Sequence, residues 1–242
     1  MRRTAWLSAV TGCAAMAAGV VVVGGVGCAG REGPGGGGEA EDRARDDGWV
    51  ALFDGATLGG WVVRGGGAWF GVEDGCIVGE TRPNEPNTFL CTEAEYGDFE
   101  LELEFRVDAG LNSGVQVRSR WDPHPSGEAT RGRVRGYQVE IDPSSRAWTG
   151  GIYDEGGRGW LQGMQGNEAA RGAFRSGAWN RLRVVAEGPR LRTWVNGVAA
   201  ADLVDGVSGS GLIGLQVHGV GAKTEPMRVR WRSIRVRILR GG

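Results

Sequence analysis

The sequence has no surplus of positive charge. Its 242 residues hold 28 basic and 29 acidic side chains, a formal net charge of −1. Nucleic-acid binders carry a basic excess that neutralises phosphates, so no nucleic-acid partner is expected. Cysteine is sparse at four residues, and no two have metal-ligand spacing. There is no glycine-rich phosphate loop, no zinc motif and no serine on a nucleophile elbow. No helical period persists beyond about two turns, which argues against a helix bundle. No unit repeats at fixed length, which argues against a propeller or solenoid. Histidine occurs only 2 times, as His124 and His218.

Charge is also missing from Thr4 to Gly30. Behind Arg2 and Arg3, this run of small apolar residues reads as an export signal. At ~1.5 Å per residue it is also long enough to stay as an uncleaved membrane anchor. Val26-Gly27-Cys28 has the character of a bacterial lipoprotein cleavage site with Cys28 lipidated, although Gly25 stands where an aliphatic residue is usual. Val10-Thr11-Gly12-Cys13 fits that local pattern better but follows too short an apolar stretch. The expectation is a lipoprotein-type signal over 1–28 and an exported protein, periplasmic or on the cell surface, held to the membrane by lipid. Residues 29–47 have almost no apolar side chains and read as a flexible tether. The folded domain is expected over 48–240.

What is abundant is glycine, at 46 residues, and tryptophan, at 10. Glycine suits tight turns, and tryptophan suits sugar stacking or a thick sandwich core. Phe99–Val107 alternates Phe, Leu, Leu, Phe and Val with Glu100, Glu102, Glu104 and Arg106, the pattern of a strand with one buried and one wet face. Its acids read as a solvated outer face. Asn112–Ser119, Tyr137–Asp142 and Leu212–His218 alternate in the same way, and Ala68–Gly79 and Leu191–Val195 enter the hairpin signals Asp74-Gly75 and Asn196-Gly197. Residues 120–135 are polar and proline-containing, and read as a long loop. Many short strands with glycine-rich turns define an all-β sandwich or barrel. Cys76 and Cys91 both fall in strands, and either a disulfide or two buried thiols fits.

The stretch Gly136–Trp160 concentrates the candidate chemistry. Gln138, Glu140 and Asp142 share one strand face, opposite Tyr137, Val139 and Ile141. Two neighbouring carboxylates suit a proton-transfer pair or a cation such as calcium. Gln116 and Arg118, and Gln216 and His218, occupy equivalent positions on two other strands. All of them share a polar face if the three strands are neighbours. His218 is a candidate base or a structural histidine. Trp148, Tyr153 and Trp160 suit a sugar face or the core, and Arg158 suits an anionic oxygen or the surface. His124 is given no role.

Seven segments come in the order of one family: GWVALFDG–GW, YGDFELELEFRV, NSGVQVRS, GYQVEID, TGGIYDE, GAWNRLRVVAEGPRLRTWVNG and IGLQVHG. They resemble the 3-keto-disaccharide hydrolase domain over about residues 48–239. The resemblance implies a concanavalin-like jelly-roll β-sandwich of two curved antiparallel sheets. It implies action on a glycoside whose sugar carries a ketone at carbon 3, by elimination and hydration with net hydrolysis. In that chemistry His218 is the expected base and Glu140 or Asp142 the expected acid. Arg118 or a divalent cation would hold the enolate. Asn112, Gln116, Gln138, Tyr153, Asp154, Arg158, Trp160 and Gln216 would contact the sugar. A sugar 3-oxidoreductase is the expected functional partner. The competing readings are a non-catalytic carbohydrate-binding module and an endoglucanase-like glycosidase. The latter is disfavoured because Ser145 stands where such enzymes place a second glutamate.

Overall fold

The computed structural model describes residues 48–128 and 131–239. The expected signal over 1–28, with Cys28, and the expected tether over 29–47 lie outside the described residues. No described helix is long and apolar enough to cross a membrane.

The described strands, in chain order, are β1 (Trp49–Ala51), β2 (Trp61–Arg64), β3 (Trp69–Glu73), β4 (Cys76–Glu80) and β5 (Thr88–Thr92). They continue with β6 (Phe99–Val107), β7 (Ser113–Pro123), β8 (Gly132–Ile141), β9 (Ile152–Glu155) and β10 (Gly159–Gln162). After the single-turn helix α1 (Glu168–Arg171) come β11 (Asn180–Glu187), β12 (Arg190–Val195), β13 (Val198–Val204), β14 (Leu212–Val217) and β15 (Arg228–Ile238). The first sheet runs β13-β12-β11-β6-β15-β4-β3, with β1 paired to β15. The second runs β10-β9-β8-β7-β14-β5-β2. All pairings are antiparallel, and the two sheets form the jelly-roll sandwich of the concanavalin class.

Alternation builds the core. Val139, Val115 and Leu215 stand opposite one another across β8, β7 and β14 and are fully buried. Leu103 and Leu182 do the same across β6 and β11. These inner faces meet in one apolar cluster that also encloses Trp231 and Tyr137. Burying a side chain of this size stabilises the fold by ~1.5–3 kcal/mol, before the entropy cost of ordering it. The two hairpin signals close as read: Asp74-Gly75 joins β3 to β4 and Asn196-Gly197 joins β12 to β13, all four residues with positive φ.

Two expectations change. Residues 120–123 and 132–135 are not loop but extend β7 and β8 as a paired ladder, in which Trp121 pairs with Val134 and Pro123 with Gly132. A bulge between Val117 and Arg120 re-aims the side chains there. Beyond it, Trp121 and Val134 join Phe89, Cys91 and Leu212 in a small second cluster. Cys76 and Cys91 lie in different sheets, and both thiols are buried and free. Burial pushes the Cys91 thiol up to about 12.

Candidate active site

Strands β8, β7 and β14 are indeed neighbours, so their outward polar residues share the face of the second sheet that points away from the sandwich core. Glu140 stands opposite Gly114, which stands opposite Gln216. Tyr153 stands opposite Gln138, and Gln138 opposite Gln116. Over this face opens a cavity of about 300 Å³ lined by Asn87, Asn112, Gln138, Glu140, Arg146, Tyr153, Glu155, Trp160 and His218. That is at the low end of the ~300–1,000 Å³ usual for small-molecule sites.

Glu140 is the most elaborately held group in it. Its side chain is only 6% exposed. Asn112 Nδ2 donates to one carboxylate oxygen at 2.6 Å and Gln138 Nε2 to the other at 2.9 Å. Gln138 Oε1 accepts from Gln116 Nε2 at 2.7 Å, and Gln116 Oε1 accepts from Ser119 Oγ at 2.6 Å. The donors run one way, from Ser119 through two amides to Glu140. Gly114 makes this possible, because a Cβ there would sit 2.5 Å from the Gln138 side chain that lies across it. Burial pushes the Glu140 carboxyl above the usual range, and the amide donors only partly offset it.

Glu155, at the end of β9, reaches the same cavity. Asn87 Nδ2 donates to its Oε1 at 3.3 Å. Burial raises its pKa too, and the Glu140 charge adds to the rise. The carboxylate pair of the site is therefore Glu140 with Glu155. Alternation places Tyr153 and Glu155 on one face of β9, a signal already present in the sequence Tyr153-Asp154-Glu155.

His218 follows β14 directly and lines the cavity. Its Nδ1 lies 2.7 Å from the Gly219 carbonyl oxygen. A carbonyl only accepts, so Nδ1 carries the proton, and in the neutral ring Nε2 is left as a free base. Its charged form would also be felt by Glu155.

Arg146, from the loop between β8 and β9, forms a wall. Its guanidinium stands 4.8 Å from the Trp160 ring centre and 5.2 Å from that of Trp148. It lies 3.6 Å from Glu140 and 2.8 Å from Asp142. Trp160 meets Trp148 and Tyr153 edge-on, at 4.6 and 5.3 Å between ring centres.

Several expected contacts are corrected. Asp142 is buried, but the Ser144 and Trp148 amides and Arg146 Nε all donate to it. Burial raises its pKa, yet these donors outweigh that and hold it below the usual range. It ties down the loop that carries Arg146 and does not line the cavity. Arg118, at the bulge with φ +47°, turns inward between the sheets. It donates to the Gly97 and Gly188 carbonyls and to Asp98, so it is a strut rather than an enolate ligand. Asp154 and Arg158 fall on the other side of β9. There they form a rim cluster with Asp205, which also accepts from the Tyr137 hydroxyl. Gln116 and Gln216 share the polar face but are fully covered and cannot touch a sugar. Neither side-chain polar atom of Gln216 has a hydrogen-bond partner among the described residues. Asn112, Gln138, Tyr153 and Trp160 do line the cavity, and Asn87, Arg146 and Glu155 join them unpredicted. Among the described residues no group of three or more His, Cys, Asp or Glu is arranged to hold a metal ion.

Comparison with known proteins agrees with this architecture. A 3-keto-disaccharide hydrolase of Bacteroides thetaiotaomicron is 35% identical over 80 residues, which span 28% of this chain and 27% of that protein. A protein from Parabacteroides distasonis described as a candidate glycosyl hydrolase superposes with a TM-score of 0.54 at 19% identity, over 80% of this chain and 94% of its own. A Bacillus subtilis protein of unknown function with a galectin-like fold gives 0.53 at 12% identity, over 73% and 88%. At these identities the solved structures speak for the fold alone. The profile of one family matches residues 48–237, so the chain belongs to the 3-keto-alpha-glucoside-1,2-lyase-like domain family.

Proposed function

We propose that this is an exported enzyme that cleaves 3-keto-glycosides by elimination across carbons 1 and 2, followed by hydration. The observation that carries the reading is one small polar cavity holding a histidine with a free Nε2, a buried and a half-buried carboxyl with raised pKa values, and an arginine. A ketone at carbon 3 acidifies the hydrogen on carbon 2. His218 Nε2 takes that proton, and the C–H electron pair forms an enolate whose oxygen Arg146 holds. The enolate then collapses, the electron pair moves between carbons 1 and 2, and the bond from carbon 1 to the glycosidic oxygen breaks. One of the two carboxyls, Glu140 or Glu155, gives the departing oxygen its proton. Water adds to carbon 1 and the histidinium returns a proton to carbon 2, so the net result is hydrolysis. Asn112, Gln138, Tyr153 and Trp160 orient the ring. The ketone has to be installed by oxidation at carbon 3, so a sugar 3-oxidoreductase belongs upstream.

The test compares a 3-keto-glucoside with its unoxidised parent. Release of the leaving group from the keto form alone, with deuterium from solvent entering carbon 2, supports the proposal. Release from the unoxidised form, or saturable sugar binding with no product from either, overturns it in favour of a conventional glycosidase or a binding module.

A further inference from the structure

A second cavity of about 530 Å³ adjoins the first and shares two of its residues, Asn87 and Glu155. Asn87 is the sill between them. Its Oδ1 accepts from the Gly219 amide at 2.9 Å, and its Nδ2 donates to Glu155. On the far side stand Phe89 and Val134 as an apolar floor and Arg133 as a polar wall. The Arg133 side chain is exposed and makes no hydrogen bond or ion pair with the described residues, although its charge is felt by Glu155. Glu85, also lining this chamber, is already engaged by the Gly67 amide at 2.7 Å.

The two candidate acids differ here. Both oxygens of Glu140 already accept amide hydrogens, and Glu140 lines only the first chamber. Glu155 has one long contact, to Asn87, and faces both chambers. A glycoside bound with its keto ring in the first chamber must send its leaving group somewhere. Among the described residues, the adjoining chamber is reached past Glu155, a carboxyl without two amide donors.

Resting on the reading proposed above, we infer that the second chamber is the leaving-group subsite, that it takes a second pyranose ring through Arg133, and that Glu155 protonates the departing oxygen. The balance is simple. The bond from carbon 1 to oxygen breaks, its electron pair stays on oxygen, and the Glu155 proton joins it. The resulting carboxylate then takes a proton from the water that adds to carbon 1.

Three 3-keto-glucosides test this on the full chain: one whose leaving group is a second sugar, one methyl, and one a nitrophenol acidic enough to leave unprotonated. Glu155→Gln should slow the sugar and methyl substrates by about 100-fold or more and spare the nitrophenyl one to within about fivefold. Glu140→Gln should impair all three alike. Arg133→Ala should raise KM for the keto-disaccharide by about 5- to 10-fold, the worth of one ordinary hydrogen bond at an exposed position, and leave the methyl substrate unchanged. Equal loss of all three substrates in Glu155→Gln, or an Arg133→Ala effect independent of the leaving group, overturns the inference. Calorimetry with the unoxidised disaccharide and methyl glycoside separates this from failure of the parent reading. Loss of disaccharide preference in Arg133→Ala supports the subsite even if no keto substrate is cleaved, and no preference in the starting protein overturns it.

Discussion

Glu102 and Glu140 are the same residue type on the same kind of strand, each at an outward position of an alternating run and each almost fully covered, with 8% and 5% of their surface exposed. Their surroundings part them. On the first sheet, Glu102 sits between Arg181 and Arg235, at 2.5 and 2.6 Å. Glu100 sits likewise between Arg183 and Arg237, and Glu104 faces Arg232. Burial pushes Glu102 up, but the two guanidinium groups pull harder and hold it below the usual range. On the second sheet, Glu140 receives two neutral amides at hydrogen-bond distance and one arginine at 3.6 Å that makes no hydrogen bond to it, so burial wins and the carboxyl is raised. A carboxylate clasped by cations is committed to its charge. One clasped by amides can still change protonation state, which is what acid–base chemistry requires. Size does not distinguish the faces, since a cavity of about 440 Å³ opens beside Glu102 and Glu104.

The strongest way to break this contrast is to remove chemistry from one face and not the other. His218→Gln should lower kcat by about 100- to 10,000-fold on a keto-glucoside with an unchanged circular dichroism spectrum. Glu102→Gln should leave kcat within about twofold. A retained rate in the first would remove His218 as the base. Next in size is Arg146→Ala, which should cost about 100-fold in kcat, the scale of one lost oxyanion donor, with a smaller change in KM. The pH profile sharpens the contrast further. The acid must be protonated, and burial holds both Glu140 and Glu155 above the usual carboxylate range. Turnover of a sugar leaving group should therefore fall as pH rises past the raised value, and Glu155→Gln should abolish that limb.

The contrast was half legible in the sequence. Strict alternation placed Glu102 and Glu140 outward and their apolar neighbours inward, and this suffices for the sandwich. It could not say what faces each acid. The arginines of β11 and β15 are about 80 and 130 residues from Glu102 in sequence, and only sheet order brings them beside it. Arg118 was misplaced because alternation assumes an unbroken strand, and the bulge at its positive φ inverts the side. Glu155 was missed although alternation applied to β9 would have set it beside Tyr153 and apart from Asp154. Asn87 and Arg146 come from connecting segments with no period to read.

Smaller effects belong to stability. Removing the clasped charge in Glu102→Gln leaves two arginines facing one another across a neutral amide. Their arms reach solvent, so the cost should be about 1 kcal/mol, a fall in Tm of ~2–4 °C that high salt reduces.

The smallest effect expected is at the rim, where Arg158 joins Asp154 to Asp205. The Arg158 guanidinium holds the Asp205 carboxyl down to about 2. In the unfolded chain an aspartate titrates near ~3.9. The folded state then binds fewer protons than the unfolded one between these values, so stability rises with pH across that window. The pair's contribution is complete above the unfolded value and is lost as pH falls towards the folded one. Arg158→Ala should lower Tm at neutral pH by no more than ~2–4 °C, since the arginine is partly exposed. The difference from the parent should shrink as pH drops from about 4 to about 2. Activity should not change, because this cluster faces away from the cavity. Loss of turnover in Arg158→Ala without loss of Tm would place Arg158 back in the site and undo the separation between the two sides of β9.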